Sequence, residues 1–367
     1  MHDANIFDRP VYALLGLPVD AVTVGEACSR LLDSVQSKSR CFFTTPNLNY
    51  LVATQTDSAF RDSLIDSDLV VADGMPLVRI AKLLGIPLPE RVAGSTVFDQ
   101  LRLTSRPEPL GVYFFGGPEG VADRACKVLN RERLGMVGVG ALYPGFGSLD
   151  DMLTPKVFNA INDQRVDLLV VSLGAKRGQA WIQSAKKCLQ TSVVANLGAV
   201  VNFVAGSVVR APDWIQRMGM EWLWRVYQEP SLFNRYFSDG TSYLWLLFKH
   251  VLPLRQYQRK LTIKYQHEPP GVVTLNTNVE FHAVKVIGVA NSILLPATRE
   301  VFKNILNASP TRVEIDLSNC RYFNAAFLGQ IMLHLKIQRS RNQPLLMKNP
   351  SSEVKKLIEL HAATYLL

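Results

Sequence analysis

Cysteine is scarce and scattered. The five residues, Cys28, Cys41, Cys126, Cys188 and Cys320, make neither an even disulfide framework nor a paired metal spacing. That predicts reduced, mostly buried thiols in a cytoplasmic protein. No zinc or other metal site is expected, because no Cys/His cluster supplies four ligands. Long apolar runs are missing too. The most hydrophobic late stretch, 243–252, is interrupted by Lys249 and His250. It falls well short of the roughly 20 residues that cross a bilayer, so any membrane contact is expected to be peripheral, at the inner face of the cell membrane. The first residues show no basic region followed by an apolar segment, so no signal peptide is expected. There is no internal repeat, no low-complexity tract, no GxGxxG and no P-loop, and no cofactor is expected. No recognised nucleic-acid motif is present either, which argues against a nucleic-acid partner.

What is there is ordinary globular composition: 48% hydrophobic and 19% charged residues over 367 positions. That length favours two domains over one core. The net charge of +9 suits phosphates, nucleic acid or an anionic membrane surface without choosing among them.

The first two hundred residues alternate strand and helix signals. Strands are expected at 41–45, 68–73, 111–115, 167–173 and 192–197, with helices at 48–63 and 119–130 between them. Short apolar strands separated by helices imply an α/β fold, a Rossmann-like parallel sheet with helices on both faces. Residues 207–260 then interleave aromatics with arginines, and His267-Glu268-Pro269-Pro270-Gly271 reads as a linker. A second βα pattern follows, with strands at 283–289 and 312–317 and helices at 296–307, 327–339 and 352–360.

Ligands in open α/β sheets bind beyond the carboxyl ends of the strands. That rule selects Thr45 and Asn47 after the first strand, Asp73-Gly74 after the second, Gly116-Gly117 after the third, and Lys176 and Arg177 after the fourth. An aspartate at a strand end can accept a sugar hydroxyl's proton. Asp-Gly is also a common turn dipeptide, and the residues alone favour the turn. Gly116-Gly117-Pro118 could present backbone N–H groups to a diphosphate or simply turn the chain into its helix. Arg91, before Gly94-Ser95, suits an anion at a helix start as well as it suits a solvated loop.

Between 213 and 228 the periodicity is helical. Ile215, Met218, Trp222 and Val226 share one face, and Arg217, Glu221 and Arg225 form a ladder on another. Arginine suits bidentate phosphate contact and tryptophan suits a membrane interface. A plain amphipathic helix, with its aromatics in a core and its arginines solvated, explains the pattern equally well.

At these residues, over about 10–240, the chain resembles the WecG/TagA/CpsF glycosyltransferases. The carriers are Thr45-Pro46-Asn47, Ala72-Asp73-Gly74-Met75-Pro76, Arg91-Val92-Ala93-Gly94-Ser95, Tyr113-Phe114-Phe115-Gly116-Gly117, Tyr143-Pro144-Gly145-Phe146, and the block from Phe203-Val204-Ala205-Gly206 through Arg210-Ala211-Pro212 to Glu229-Pro230. The resemblance implies metal-free, inverting transfer of an N-acetylmannosamine-type or related sugar from a UDP-sugar donor to a polyprenyl-diphosphate-linked acceptor, in surface polysaccharide synthesis. It implies Asp73 as catalytic base, Thr45 and Asn47 at the substrate, and Arg91 on the diphosphate. It also implies that Arg210, Arg217 and Arg225 belong to an appendage that closes over the site at the membrane. One departure stands out. The family's Gly-x-Pro-x-Gln-Glu is here Gly174-Ala175-Lys176-Arg177-Gly178-Gln179, so those side chains are not carried over, and Lys176 and Arg177 become candidates for donor phosphate contact.

The last part, about 272–367, resembles a STAS domain, through Glu314-Ile315-Asp316-Leu317-Ser318 and Tyr322-Phe323-Asn324-Ala325-Ala326-Phe327-Leu328-Gly329. The usual Asp-Ser-Ser-Gly at the helix start is Asn324-Ala325-Ala326-Phe327, without a hydroxyl to phosphorylate. A docking or structural role is expected, with a possible protein partner. The expected division is therefore a catalytic domain over 1–206, a helical membrane-associating appendage over 207–265 and a STAS-like domain over 272–367. The competing reading is a catalytically inactive relative that acts through protein binding by its C-terminal domain.

Overall fold

A computed structural model of the chain describes all residues except 1, 2, 146, 213, 214, 216–219, 229, 231, 232, 279, 309 and 310; the side chains of 3–5 and 235 are also left undescribed. An antiparallel hairpin of β1 (Val11–Leu14) and β2 (Leu17–Asp20) comes first. Six parallel strands follow: β3 (Cys41–Thr44), β4 (Leu69–Val70), β5 (Leu110–Gly116), β6 (Met136–Leu142), β7 (Leu168–Ser172) and β8 (Val193–Asn196). They lie in the order β4-β3-β8-β7-β5-β6. All residues of β5, β7 and β8 are buried. That is the signature of a sheet covered on both faces, and it explains why these segments read as unbroken apolar runs.

Polar caps set the helix starts. Thr23 and Glu26 form a reciprocal capping box before Val24–Gln36. The side chains of Asn47 and Asp57 accept N–H bonds from Tyr50 and Phe60, opening Leu48–Ala53 and Ser58–Ile65. The single helix expected over 48–63 is thus two. The first ends where Thr54 turns its hydroxyl onto the Leu51 carbonyl, and Asp57 starts the second.

The C-terminal part forms a four-stranded sheet, β12-β11-β10-β9, from β9 (Val272–Thr277), β10 (Phe281–Ala290), β11 (Arg312–Phe323) and β12 (Leu345–Lys348). β9 runs antiparallel to β10, and the other pairs are parallel. The helix Ala325–Ser340 packs on this sheet and also against the N-terminal hairpin. It buries residues all around its circumference. A Cβ at Gly329 would stand 2.4 Å from the Val11 carbonyl oxygen, so only glycine permits this approach. Lys336 and Arg339 on the same helix reach Asp68 and Asp62 of the N-terminal half, and the Tyr365 hydroxyl donates to the Gly16 carbonyl. One apolar core accordingly runs from Phe7 and the hairpin to Leu366. The segment read as a linker is short, with Pro270 bridging to Val289.

Between the two sheets the chain forms helices Glu221–Gln228, Phe233–Leu246 and Leu252–Lys264, the last two joined by a wide turn at Leu247–Val251. Leu246, Val251, Leu254 and Leu261 enter the shared core, while Phe237, Leu244 and Phe248 face outward.

Candidate active site

Four strand ends converge on one cavity of about 690 Å³. β3 delivers Thr45 and Asn47, β4 delivers Asp73, β7 leads to Gly174 and Ala175, and β8 delivers Asn196 to Gly198. This is the carboxyl-end crevice of a parallel sheet. The helix Glu221–Gln228 closes its far side with Glu221, Trp222 and Arg225, and Tyr236, Asp239 and Tyr243 complete that wall.

Local backbone geometry fixes Asp73. Its N–H donates to the Pro46 carbonyl at 2.9 Å, and the Val92 N–H donates to the Ala72 carbonyl at 3.1 Å, so the loops after β3 and β4 are tied together. Gly74 then takes φ 122°, a conformation other residues avoid, and the chain turns directly into the helix Met75–Leu83. The Asp73 carboxylate accepts the Gly94 N–H at the start of the helix Gly94–Leu103, where the helix dipole favours an anion. Arg91 Nη2 stands 3.3 Å from Asp73 Oδ1 and 2.7 Å from Glu221 Oε2. Arg91 Nε is buried without a described partner. Burial raises the Asp73 carboxyl above the ordinary carboxylate range; Arg91 opposes that rise and Glu221 adds to it. The result is a carboxylate more basic than a solvated one, with 26% of its side chain still accessible from the cavity.

Asn47 caps its helix at 3.3 Å and faces the cavity beside a nearly buried Thr45. The neighbouring Thr44 hydroxyl is held at 2.6 Å by Gln179, which is buried beneath the cavity floor. Gly178 abuts the Asn196 side chain, whose amide donates to the Tyr50 hydroxyl and the Ala175 carbonyl. Arg225 lies over the Phe203 ring, 5.1 Å from its centroid. Among the described residues, neither Arg225 nor Arg79, a second arginine of the cavity wall, has a carboxylate partner.

Of the residues singled out from sequence, Asp73, Thr45, Asn47, Arg91 and Arg225 therefore meet at one cavity. Five others lie outside its lining. Gly117 donates its N–H to the Ser172 carbonyl and abuts Val201, and Gly116 packs on Ser172. Lys176 pairs with Asp57 at 2.8 Å, and Arg177 donates to the Gly147 carbonyl. Arg210 is anchored on Asp99 and Thr96, on the outer side of the Gly94–Leu103 helix. Arg217, like Trp214, Phe146 and Glu229, lies outside the described residues. In sequence Glu221 is only a rung of the Arg217–Glu221–Arg225 ladder, and Arg79, Asn196 and Tyr50 belong to no candidate motif. Arg79 follows Asp73-Gly74 at a spacing that one helical turn brings back to the strand end, a signal that was available. Among the described residues no three His, Cys, Asp or Glu side chains gather as a metal site.

Known proteins resemble this chain over the part that holds the cavity. A curated protein of Bacillus spizizenii, N-acetylglucosaminyldiphosphoundecaprenol N-acetyl-beta-D-mannosaminyltransferase, is 25% identical over 209 residues, covering 57% of this chain and 79% of its own length. The Bacillus subtilis protein of the same name is 24% identical over 204 residues, covering 56% and 78%. The model of the glycosyl transferase WecG/TagA/CpsF family matches residues 12–257, well over half of the sequence and the whole of the cavity. The chain belongs to the WecG/TagA/CpsF family of glycosyl transferases.

Proposed function

We propose that this glycosyltransferase moves an N-acetylmannosamine-type or related sugar from a UDP-sugar to a polyprenyl-diphosphate-linked N-acetylglucosamine acceptor, with inversion at the anomeric carbon and Asp73 as the base. The observation that carries the reading is the placement of Asp73: a carboxylate of raised basicity at a strand end, open to a cavity whose wall holds two arginines without described carboxylate partners. Asp73 takes the proton of the acceptor hydroxyl. The freed oxygen electron pair attacks the anomeric carbon from the face opposite the nucleotide, and the bond to the diphosphate breaks. UDP departs with the electron pair of that broken bond. Arg91, Arg79 and Arg225 supply positive charge where negative charge grows on the diphosphate. Thr45 and Asn47 orient the sugar. Lys176, Arg177, Arg210 and the Gly116-Gly117 turn stand apart from this set in the present geometry.

The name shared by the Bacillus relatives supports the acceptor and the sugar class. The experiment is UDP release from purified protein given UDP-N-acetylmannosamine and a polyprenyl-diphosphate N-acetylglucosamine. Turnover is expected with wild type and is lost with Asp73→Asn, whose fold is checked by circular dichroism.

The membrane face of the proposal rests on residues 207–265. Among the described residues no helix is long and apolar enough to cross a bilayer. Phe233, Phe237 and Phe248 are more than half exposed on this segment, and Tyr227 is 81% exposed. Such a row suits the interface of a bilayer that carries the acceptor lipid. For the C-terminal sheet we propose a STAS-like fold with a structural role, supported by the burial of its central helix against the N-terminal hairpin.

A further inference from the structure

Two carboxylates share one nitrogen in this site. Arg91 Nη2 is 2.7 Å from Glu221 Oε2 and 3.3 Å from Asp73 Oδ1. Asp73 and Arg91 come from loops of the catalytic sheet, while Glu221 opens the helix that closes the cavity. Glu221 lies 130 residues from its partner in sequence and only 15% of its side chain is exposed, so this is a protected contact between the two walls of the site.

An Arg–carboxylate pair at its strongest is bidentate, with two parallel hydrogen bonds. In this site Arg91 makes only one long contact to Asp73, and its better hydrogen bond goes to Glu221. A guanidinium drawn wholly onto Asp73 would hold that carboxylate ionised and weaken it as a base. Glu221 keeps the guanidinium from settling there.

We infer that Glu221 is a positioning residue: by holding Arg91 toward the closing helix, it preserves the basicity of Asp73 and makes that basicity depend on the helix being in place. This rests on the proposed role of Asp73 as base, and goes beyond it by giving the closing helix a chemical effect on the base. The directions agree, since Glu221 raises the Asp73 carboxyl while Arg91 lowers it. The other charged groups of the cavity wall are Arg79, Arg225 and Asp239.

The test measures Asp73 directly. Protein labelled with ¹³C at the aspartate side-chain carboxyl is titrated by NMR, the Asp73 signal being assigned by its loss in Asp73→Asn. In Glu221→Gln the Asp73 midpoint should fall by about one pH unit, as expected when a near carboxylate is neutralised and the guanidinium settles on the remaining one. Glu221→Asp should restore at least half of that shift. In the UDP-release assay, the acid limb of kcat/KM in Glu221→Gln should move to lower pH with the midpoint, and plateau kcat should fall about tenfold while KM for the donor changes less than threefold. An unmoved Asp73 midpoint overturns the inference. So does a loss of activity in Glu221→Gln with an unshifted acid limb, which is what a merely structural contact would give. A shifted midpoint in a protein that turns over no UDP-sugar supports the coupling while removing the catalytic reading, so the two fail separately.

Discussion

At Gly94 a hydrogen stands where any other residue would place a carbon 2.4 Å from Leu197 Cδ2 and 3.1 Å from Thr45 Cγ2. The same residue gives Asp73 its backbone N–H. Alanine is the better helix former, yet Gly94→Ala should destabilise the protein by about 1–3 kcal/mol through overpacking, with Thr45 and Leu197 pushed into the cavity. Urea unfolding measures the loss. An unchanged midpoint would mean that the strand ends are less tightly packed than described. Residue chemistry at the site was partly legible in sequence. Strand ends and a helix start locate Asp73 and Arg91, but those signals alone favour a turn at Asp73 and leave Arg91 open; their roles come from the family resemblance. Glu221 could not be located this way, because its partner is set by how a distant helix folds back over the sheet. Lys176 and Arg177 were named from their loop alone, but cap contacts and the 147–152 loop hold them elsewhere: Lys176 is taken by Asp57, and Arg177 by the Gly147 carbonyl.

Among the elements, buried parallel strands were the easiest to read, since β5, β7 and β8 are uninterrupted apolar runs. β6 was passed over. Its Gly138 and Gly140, which lie hard against Cys126 and Tyr113, remove the strand signal while making the close packing possible. The first hairpin escaped notice because it is only four residues on each side, and its burial comes from the far end of the chain. Helical periodicity is legible in sequence only over 213–228; the two helices that follow read as aromatics and arginines in close succession, and Leu246, Val251, Leu254 and Leu261 go inward to the shared core. The outward face gives a prediction. Replacing Phe233, Phe237 and Phe248 together by serine should weaken binding to anionic phospholipid vesicles at least tenfold, because each phenylalanine inserted in a bilayer interface gains a sizeable part of the roughly 1.5–3 kcal/mol of full burial. Co-sedimentation is the measurement, and undiminished binding would place the membrane face elsewhere.

On the scale of the whole molecule, the two halves share a core that neither would complete alone, and that junction carries an acid-sensitive group. His334, on the helix Ala325–Ser340, is 1% exposed between Phe7 and Phe302, and neither ring nitrogen has a described hydrogen-bond partner. Burial lowers its pKa to about 3, and burial lowers that of His361 to about 4. Both are neutral in the folded protein and take up a proton on unfolding below the ordinary histidine value of 6.5. Their contribution is complete above that value and is lost as pH falls toward 3 and 4, by about 1.4 kcal/mol per pH unit for each. Unfolding free energies at pH 7 and pH 5 should therefore differ by about 2 kcal/mol less in His334→Leu than in wild type; an equal difference would mean that the ring is hydrated or paired. The central claim concerns the cavity, where Asp73 stands at the end of β4. Its most direct test is UDP release from UDP-N-acetylmannosamine in the presence of polyprenyl-diphosphate N-acetylglucosamine, compared between wild type and Asp73→Asn. Acceptor-dependent turnover by wild type, reduced at least a hundredfold in the folded variant, is the predicted result, since a general base contributes about 10²–10⁴-fold. Undiminished turnover by Asp73→Asn would contradict the account.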